Sequence, residues 1–204
     1  DMQSYKLNKI FHIINKKKFT ILADSGDNPT AGGVGNRIDV LEYVFKNNIE
    51  NTLFGGIYNK EIFTELKNRK NKIVIKDNFS KKKISISIDK FYLKNDNAIV
   101  ISNNNTVIFT KYRKPFHYLS DFRELNINLK KYKILIVKSG YLSPELKKIK
   151  ADNFMILTDG FVTQDFKRIK NLFREKPIYP FQKNFRYNIA TVSYTHLRAH
   201  ETRF

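Results

Sequence analysis

Two periods of apolar residues alternate along the chain. Tyr5, Leu7, Ile10, Phe11, Ile13 and Ile14 recur at helical spacing, which predicts a helix over residues 5–18 closed by the basic run Lys16-Lys17-Lys18. An unbroken apolar run predicts a buried strand over 19–24. Ile38, Leu41, Val44 and Phe45 then mark one face of a helix over 36–48, with Asn36 as its N-cap and Asp39 three residues on. The segment 52–58, TLFGGIY, reads as a strand whose Gly55-Gly56 signals a bulge or a close backbone approach. A helix over 60–69 follows.

From 72 to 112 the period falls to two, in KIVIK, KKISISIDKFYLK, AIVISN and TVIFTKY. These are antiparallel strands, with turns at Asp77-Asn78, Asn95-Asp96-Asn97 and Asn103-Asn104-Asn105. A short helix over 117–127, a buried strand over 133–140, a helix over 144–150 with Pro144 at its first turn, a strand over 153–160 and a helix over 163–173 complete the pattern. Pro177 and Pro180 belong to an extended closing segment. The class is α/β: a mixed sheet in which strand–helix units flank an antiparallel β insert.

One stretch concentrates chemistry at the end of a strand: residues 19–38, FTILADSGDNPTAGGVGNRI. Open α/β sheets bind ligands at the carboxyl ends of their strands, and Asp24 and Asp27 fall there. Carboxylates can hold a metal, act as a base or orient a substrate amide, and Asn28 can donate to a polarised carbonyl or a tetrahedral oxyanion. Gly32, Gly33 and Gly35 present backbone N–H groups ahead of a helix, a place that attracts negative charge. The same residues also make an ordinary Asx turn and cap, and the residue types alone leave both readings open. A phosphate loop is excluded, because Asn36-Arg37 follows the glycines and GGVG does not match GxGxxG.

Composition narrows the classes. A chain of 204 residues with 41% hydrophobic content can bury a core. With no cysteine it has neither a disulfide framework nor thiolate ligands, which is compatible with a cytoplasmic protein. No apolar run reaches the roughly 20 residues of a membrane span. The net charge of +19 raises nucleic-acid binding. Against it, lysine outnumbers arginine 29 to 9, whereas arginine is the residue that grips phosphate and base edges bidentately. The charge therefore reads as a solvated, lysine-rich surface.

The residues ADSGDNPTAGGVGN resemble the signature loop of the MlrC (microcystinase C) family of zinc metallopeptidase-like hydrolases, in its C-terminal domain. DFRELNINLKKYKILIVKSGYLSPEL resembles the family's later acid-Phe-Arg segment leading to a strand that ends Val-Lys-Ser, and KPIYPF its closing Pro-x-x-Pro stretch. The resemblance spans about residues 5–188, and it implies the C-terminal half of a longer, two-domain amide- or peptide-bond hydrolase. Zinc would be the cofactor, with its ligands in an N-terminal domain of the same polypeptide. Asp27 and Asn28 would then be the catalytic contacts, and Asp24, Pro29, Gly32 and Gly33 would bind substrate, with no metal ligand in this chain. Three departures stand out: Asn36 replaces an acid, KNRKNKIVIKDN replaces expected glycines, and Gln182 replaces a closing acid. The roles of Lys138 and Ser139 stay open.

On this reading residues 1–190 form the domain. Residues 191–204, TVSYTHLRAHETRF, hold no Lys, Asn or Ile and resemble a translated adaptor or vector read-through. His196 and His200 there share helical ligand spacing, but Leu197 breaks the HExxH pattern. The alternatives carried forward are a basic nucleic-acid-binding module and a non-catalytic scaffold of the same fold.

Overall fold

Strands that are apolar on both faces need cover on both faces, and that requirement sets the layers. In the computed structural model, which describes residues 2–14, 18–68, 71–77, 79–165 and 168, the chain begins β1 (Gln3–Lys6), α1 (Leu7–Ile13), β2 (Thr20–Asp24), α2 (Asp39–Lys46), β3 (Thr52–Tyr58) and α3 (Ile62–Lys67). The middle is β4 (Lys72–Lys76), β5 (Lys83–Ser87), β6 (Lys90–Lys94), β7 (Asn97–Ser102) and β8 (Asn105–Thr110). Then come α4 (Leu119–Arg123), β9 (Ile134–Lys138), α5 (Pro144–Lys147) and β10 (Asp152–Leu157). Eight strands form one sheet in the order β1-β10-β2-β9-β3-β8-β7-β6, while β4 and β5 pair as a separate antiparallel hairpin. Neighbours from β1 to β8 run parallel, and β7 and β6 continue the sheet antiparallel. This is the mixed α/β sheet with an antiparallel insert that the periodicity predicts.

Alternation within the buried strands separates two cores. Leu22, Ile134, Ile136, Val107 and Phe109 face α1, α2, α3 and the β4–β5 hairpin. Ile21, Ala23, Leu135, Val137 and Ile108 face the other way, onto Phe116, Phe122 and Leu125 around α4 and onto Leu146 of α5. The hairpin loops β6–β7 and β7–β8 each have two central residues with positive φ, at Asn95-Asp96 and Asn103-Asn104. That geometry matches the right-handed twist of the flanking strands, and asparagine tolerates it. The turn after β4 is held by Asp77, whose Oδ1 accepts from the N–H groups of Phe79 and Ser80 at 2.9 and 3.2 Å.

Most elements are shorter than the sequence reading: the helices expected over 60–69, 117–127 and 144–150 are Ile62–Lys67, Leu119–Arg123 and Pro144–Lys147, and KKISISIDKFYLK divides into β5 and β6. Two starts differ for a specific reason. The helix expected from residue 5 is a strand up to Lys6 and a helix only from Leu7. Tyr5 pairs with Ile156 in the parallel ladder, and its ring meets Phe154 edge-on at 5.8 Å. Its apolar partner thus lies across the sheet rather than along a helix. The helix expected from Asn36 starts at Asp39, with Ile38 in the cap position and no side-chain cap. The cause is Asp27, which holds the N–H groups of Gly35 and Arg37 in a non-helical turn. Of the helix expected over 163–173, Thr163–Asp165 are not helical, and 166, 167 and 169–173, with Pro177, Pro180 and the tail 191–204, lie outside the described residues. No helix among the described residues is long and apolar enough to cross a membrane.

The Gly55-Gly56 signal is both a bulge and a close approach. Register slips between Phe54 and Ile57, and a Cβ on Gly56 (φ +79°) would lie 2.5 Å from the Phe116 ring. Gly32 has a positive φ too (+101°), but open space around it. Gly32→Ala should therefore cost only the left-handed backbone penalty of about 1–2 kcal/mol, and Gly56→Ala distinctly more. Urea unfolding of the two variants checks this, and equal losses would show that the Phe116 contact is not what requires glycine.

Candidate active site at the carboxyl edge of the sheet

Three adjacent strands end on polar residues at the same level. Asp24 closes β2, Lys138 lies opposite it at the end of β9, and Thr158 follows β10, where Ile156 is the register partner of Asp24. Each run is apolar just before that point (Ile21–Ala23, Phe154–Leu157 and Ile134–Val137), so the polar side chains that close them meet at the sheet's own end. Lys138 Nζ donates to Asp24 Oδ2 at 3.0 Å and lies 3.4 Å from Asp27 Oδ2. The Thr158 hydroxyl donates to Asp24 Oδ1 at 2.5 Å and accepts from the Gly26 N–H at 2.9 Å. Asp24, Asp27 and Lys138 are all at most 5% exposed.

Burial pushes the Lys138 ammonium toward its neutral form. The Asp24 carboxylate, and after it Asp27, outweigh that effect and hold its pKa above the usual lysine value. Lys138 is thus a fixed cation and not an amine nucleophile, which would need a depressed pKa.

Asp27 organises the loop that follows it. Its Oδ1 accepts from the Gly35 N–H at 2.9 Å and its Oδ2 from the Arg37 N–H at 2.7 Å. The backbone donors that the glycine segment offers to an anion are therefore filled from within the chain. Asn28 Oδ1 accepts from the N–H and hydroxyl of Thr30, at 2.9 and 2.6 Å. Because the Thr30 N–H can only donate, that pair fixes the orientation of the amide. Asn28 Nδ2 then faces Gly140, where a Cβ would lie 2.9 Å from it, and it donates to nothing among the described residues. Pro29 is buried and its carbonyl accepts from Arg113. Gly33 donates to the Asn28 carbonyl at 2.8 Å, and a Cβ there would strike Asn28 N and Asp27 C at 2.7 Å. Gly32 is exposed.

Arg37 extends the cluster into the neighbouring layer. Its Nε and Nη2 donate to Asp39 Oδ2 at 2.8 and 2.5 Å, Asp77 lies 3.8 Å away, and the guanidinium sits 4.5 Å over the Phe79 ring. Burial raises the Asp77 pKa, but hydrogen bonds from Ser80 and Phe79 and the charge of Arg37 bring it below the usual carboxylate value. A cavity of about 10 Å³, the size of one water, touches Asp24, Arg37 and Lys138. Around the edge stand exposed aromatics: Tyr112, Tyr141 and Phe161 follow β8, β9 and β10, and Phe161 packs edge-on against Phe79 at 5.3 Å.

The structure thus gathers Asp24, Asp27, Asn28, Pro29 and Gly33 into one loop at the strand ends. It adds Lys138, Thr158, Arg37 and Arg113, which the sequence reading leaves without a role. A lysine that closes the apolar run ILIVK signals a buried ion pair, but not with which acid. Ser139 donates to the Tyr141 carbonyl at 2.5 Å and is a turn residue. Zinc does not fit the residues described. Among them no group of three or more His, Cys, Asp and Glu can hold a metal, and both acids at the site are turned on an ammonium.

An α/β domain with an acid-amide loop at the carboxyl ends of its parallel strands is the class that fold and site define. Within that class the chain belongs to the MlrC C-terminus family, whose model matches residues 22–70 and 75–171. No curated protein matches it. Among solved structures, it is similar to the crystal structure of a "Putative metallopeptidase" from Mesorhizobium sp. BNC1, at 12% identity and a TM-score of 0.64. The match covers 92% of this chain and 42% of the other, so the chain spans less than half the length of that relative.

Removing the ammonium should strand two buried carboxylates. Lys138→Met is expected to lower stability by about 3–5 kcal/mol at neutral pH. The pH dependence has a definite sign. A raised folded-state pKa means that Lys138 stabilises fully below its unfolded value of about 10.4 and loses that contribution as pH rises through the folded value. The stability gap between wild type and Lys138→Met should therefore be flat to about pH 10 and close above it. Denaturant titrations from pH 7 to 11.5 measure it, and a gap that persists unchanged would contradict the pairing.

Proposed function

We propose that this domain forms the substrate- and intermediate-binding wall of a metal-dependent hydrolase of amide or peptide bonds. The metal ligands would come from the remainder of a longer polypeptide, as the length of the structural relative suggests. The observation that carries this reading is the Asn28 amide. One end is locked by Thr30 and the other is an unused donor at the carboxyl edge of the sheet. A preorganised N–H aimed at developing charge stabilises a tetrahedral oxyanion without reorganising during the reaction. Asp27, buried and fully engaged, acts through Asn28 by holding the loop's entry and exit together. Asp24 and Lys138 hold Asp27. Pro29 and Gly33 keep the turn narrow, and Gly32 leaves its rim open. The exposed aromatics Tyr112, Tyr141, Phe79 and Phe161 suit a face that another domain covers.

The charge supports this reading over nucleic-acid binding. Exposed lysines occur on α1 (Lys9), β4 (Lys72, Lys76), α5 (Lys147) and the loop before β9 (Lys130, Lys131), so they are spread over both layers. A scaffold without chemistry would leave the orientation of Asn28 without consequence. Asn28→Asp decides between them: it keeps Oδ1 for Thr30 and replaces the Nδ2 donor, which has no acceptor among the described residues, with an acceptor that carries a negative charge. In the full-length protein, with metal content unchanged, it should lower kcat for amide hydrolysis by about 10²–10³. A loss within about twofold would remove Asn28 from the reaction.

A further inference from the structure

The opposite end of the sheet holds a second cavity. Thr20 opens β2 and Ile134 opens β9, and above these amino ends lies a cavity of about 490 Å³. That volume falls in the range of small-molecule sites; the cavity beside Asp24 and Lys138 at the carboxyl edge is water-sized. One wall is an aromatic pair, Phe11 of α1 stacked on Tyr43 of α2 with centroids 5.2 Å apart and planes 18° from parallel. The Thr20 hydroxyl in the lining is 1% exposed and has no hydrogen-bond partner among the described residues. An unsatisfied buried hydroxyl is costly unless something bonds it. Two lysines, Lys18 and Lys133, and one acid, Glu50, are in the lining, and Glu50 accepts from Asn104 at 3.4 Å. Lys18 is 3.8 Å from Asp152, and Lys133 makes no side-chain pair among the described residues.

We infer that this cavity binds a planar aromatic compound carrying one acidic group. The ring system lies beside the Phe11–Tyr43 pair, the acidic group meets Lys133, and the Thr20 hydroxyl bonds a polar atom of the ligand. The site is independent of the loop at Asp27, being at the other end of the same strands, and its test does not depend on any hydrolase activity.

The probe is 8-anilino-1-naphthalenesulfonate, an aromatic anion with a planar naphthalene ring system, titrated by fluorescence against the full chain, with N-phenyl-1-naphthylamine as its uncharged counterpart. One saturable site is expected, with the anion bound more tightly than the neutral dye. Lys133→Gln, an exposed position that leaves the fold alone, should weaken the anion about fivefold, the effect of one charge at ~4 Å in water, and leave the neutral dye unchanged. Tyr43→Ala should weaken both. Absence of saturable binding overturns the site. Equal affinity for the two dyes, or anion binding unmoved by Lys133→Gln, overturns the anionic assignment. Binding unmoved by Tyr43→Ala but lost in Phe161→Ser would place the dye at the exposed aromatics of the carboxyl edge and overturn the proposal as a whole.

Discussion

A single ammonium buried between two carboxylates underlies everything at the carboxyl edge. Lys138, Asp24 and Asp27 are withdrawn from water together, and such groups are expensive to desolvate; apolar residues of the same volume often serve stability as well or better. What the ionic arrangement provides is position. Asp24 reaches β10 through Thr158 while Lys138 reaches it from β9, so one charge cluster crosses three neighbouring strand ends. Asp27 carries the same cluster outward to the backbone at Gly35 and Arg37. An apolar replacement would fill the space but would not dictate where the chain turns after Gly26.

That hierarchy explains what was legible in the sequence. The strands were, because runs such as ILIV and IVIS are apolar on both faces and only a sheet covered on both sides accommodates them. The hairpins were, because paired asparagines declare a positive φ. The carboxyl-edge loop was located correctly, since acids, an amide and glycines after a strand form a local pattern. The direction of its side chains was not. Asp27 is satisfied by N–H groups eight and ten residues later, and Lys138 finds its acid 114 residues away in sequence. The first pairing lies within one stretch but leaves no mark on residue type, and no short window of sequence contains both Lys138 and Asp24. The same reason misplaces Tyr5 and Asn36: one belongs to a ladder formed with the last strand, the other to a turn held by Asp27.

Cavity and chemistry lie at opposite ends of the molecule. The larger cavity opens at the amino ends of β2 and β9, while the oriented amide and the charge cluster lie at the carboxyl ends beside a void of one water. On the proposed reading the carboxyl edge, where open α/β sheets place ligands, is one wall of a cleft whose other wall is a second domain. A wall with a fixed donor and a rim of exposed rings becomes concave only when something is set against it.

On the proposed reading the rigidity of this loop has a purpose. A donor that stabilises developing charge must hold its place before the reacting group arrives, and a displacement of about 1 Å can cost two orders of magnitude in rate. Asn28 is built to that standard from behind: Thr30 fixes its oxygen, Gly33 allows the turn to close on it, and Asp27 clamps the two ends of the loop. None of these contacts uses the face that Nδ2 presents. The conformational entropy of the loop is spent in folding the domain, so on the proposed reading an incoming domain and its substrate would meet a donor already in position.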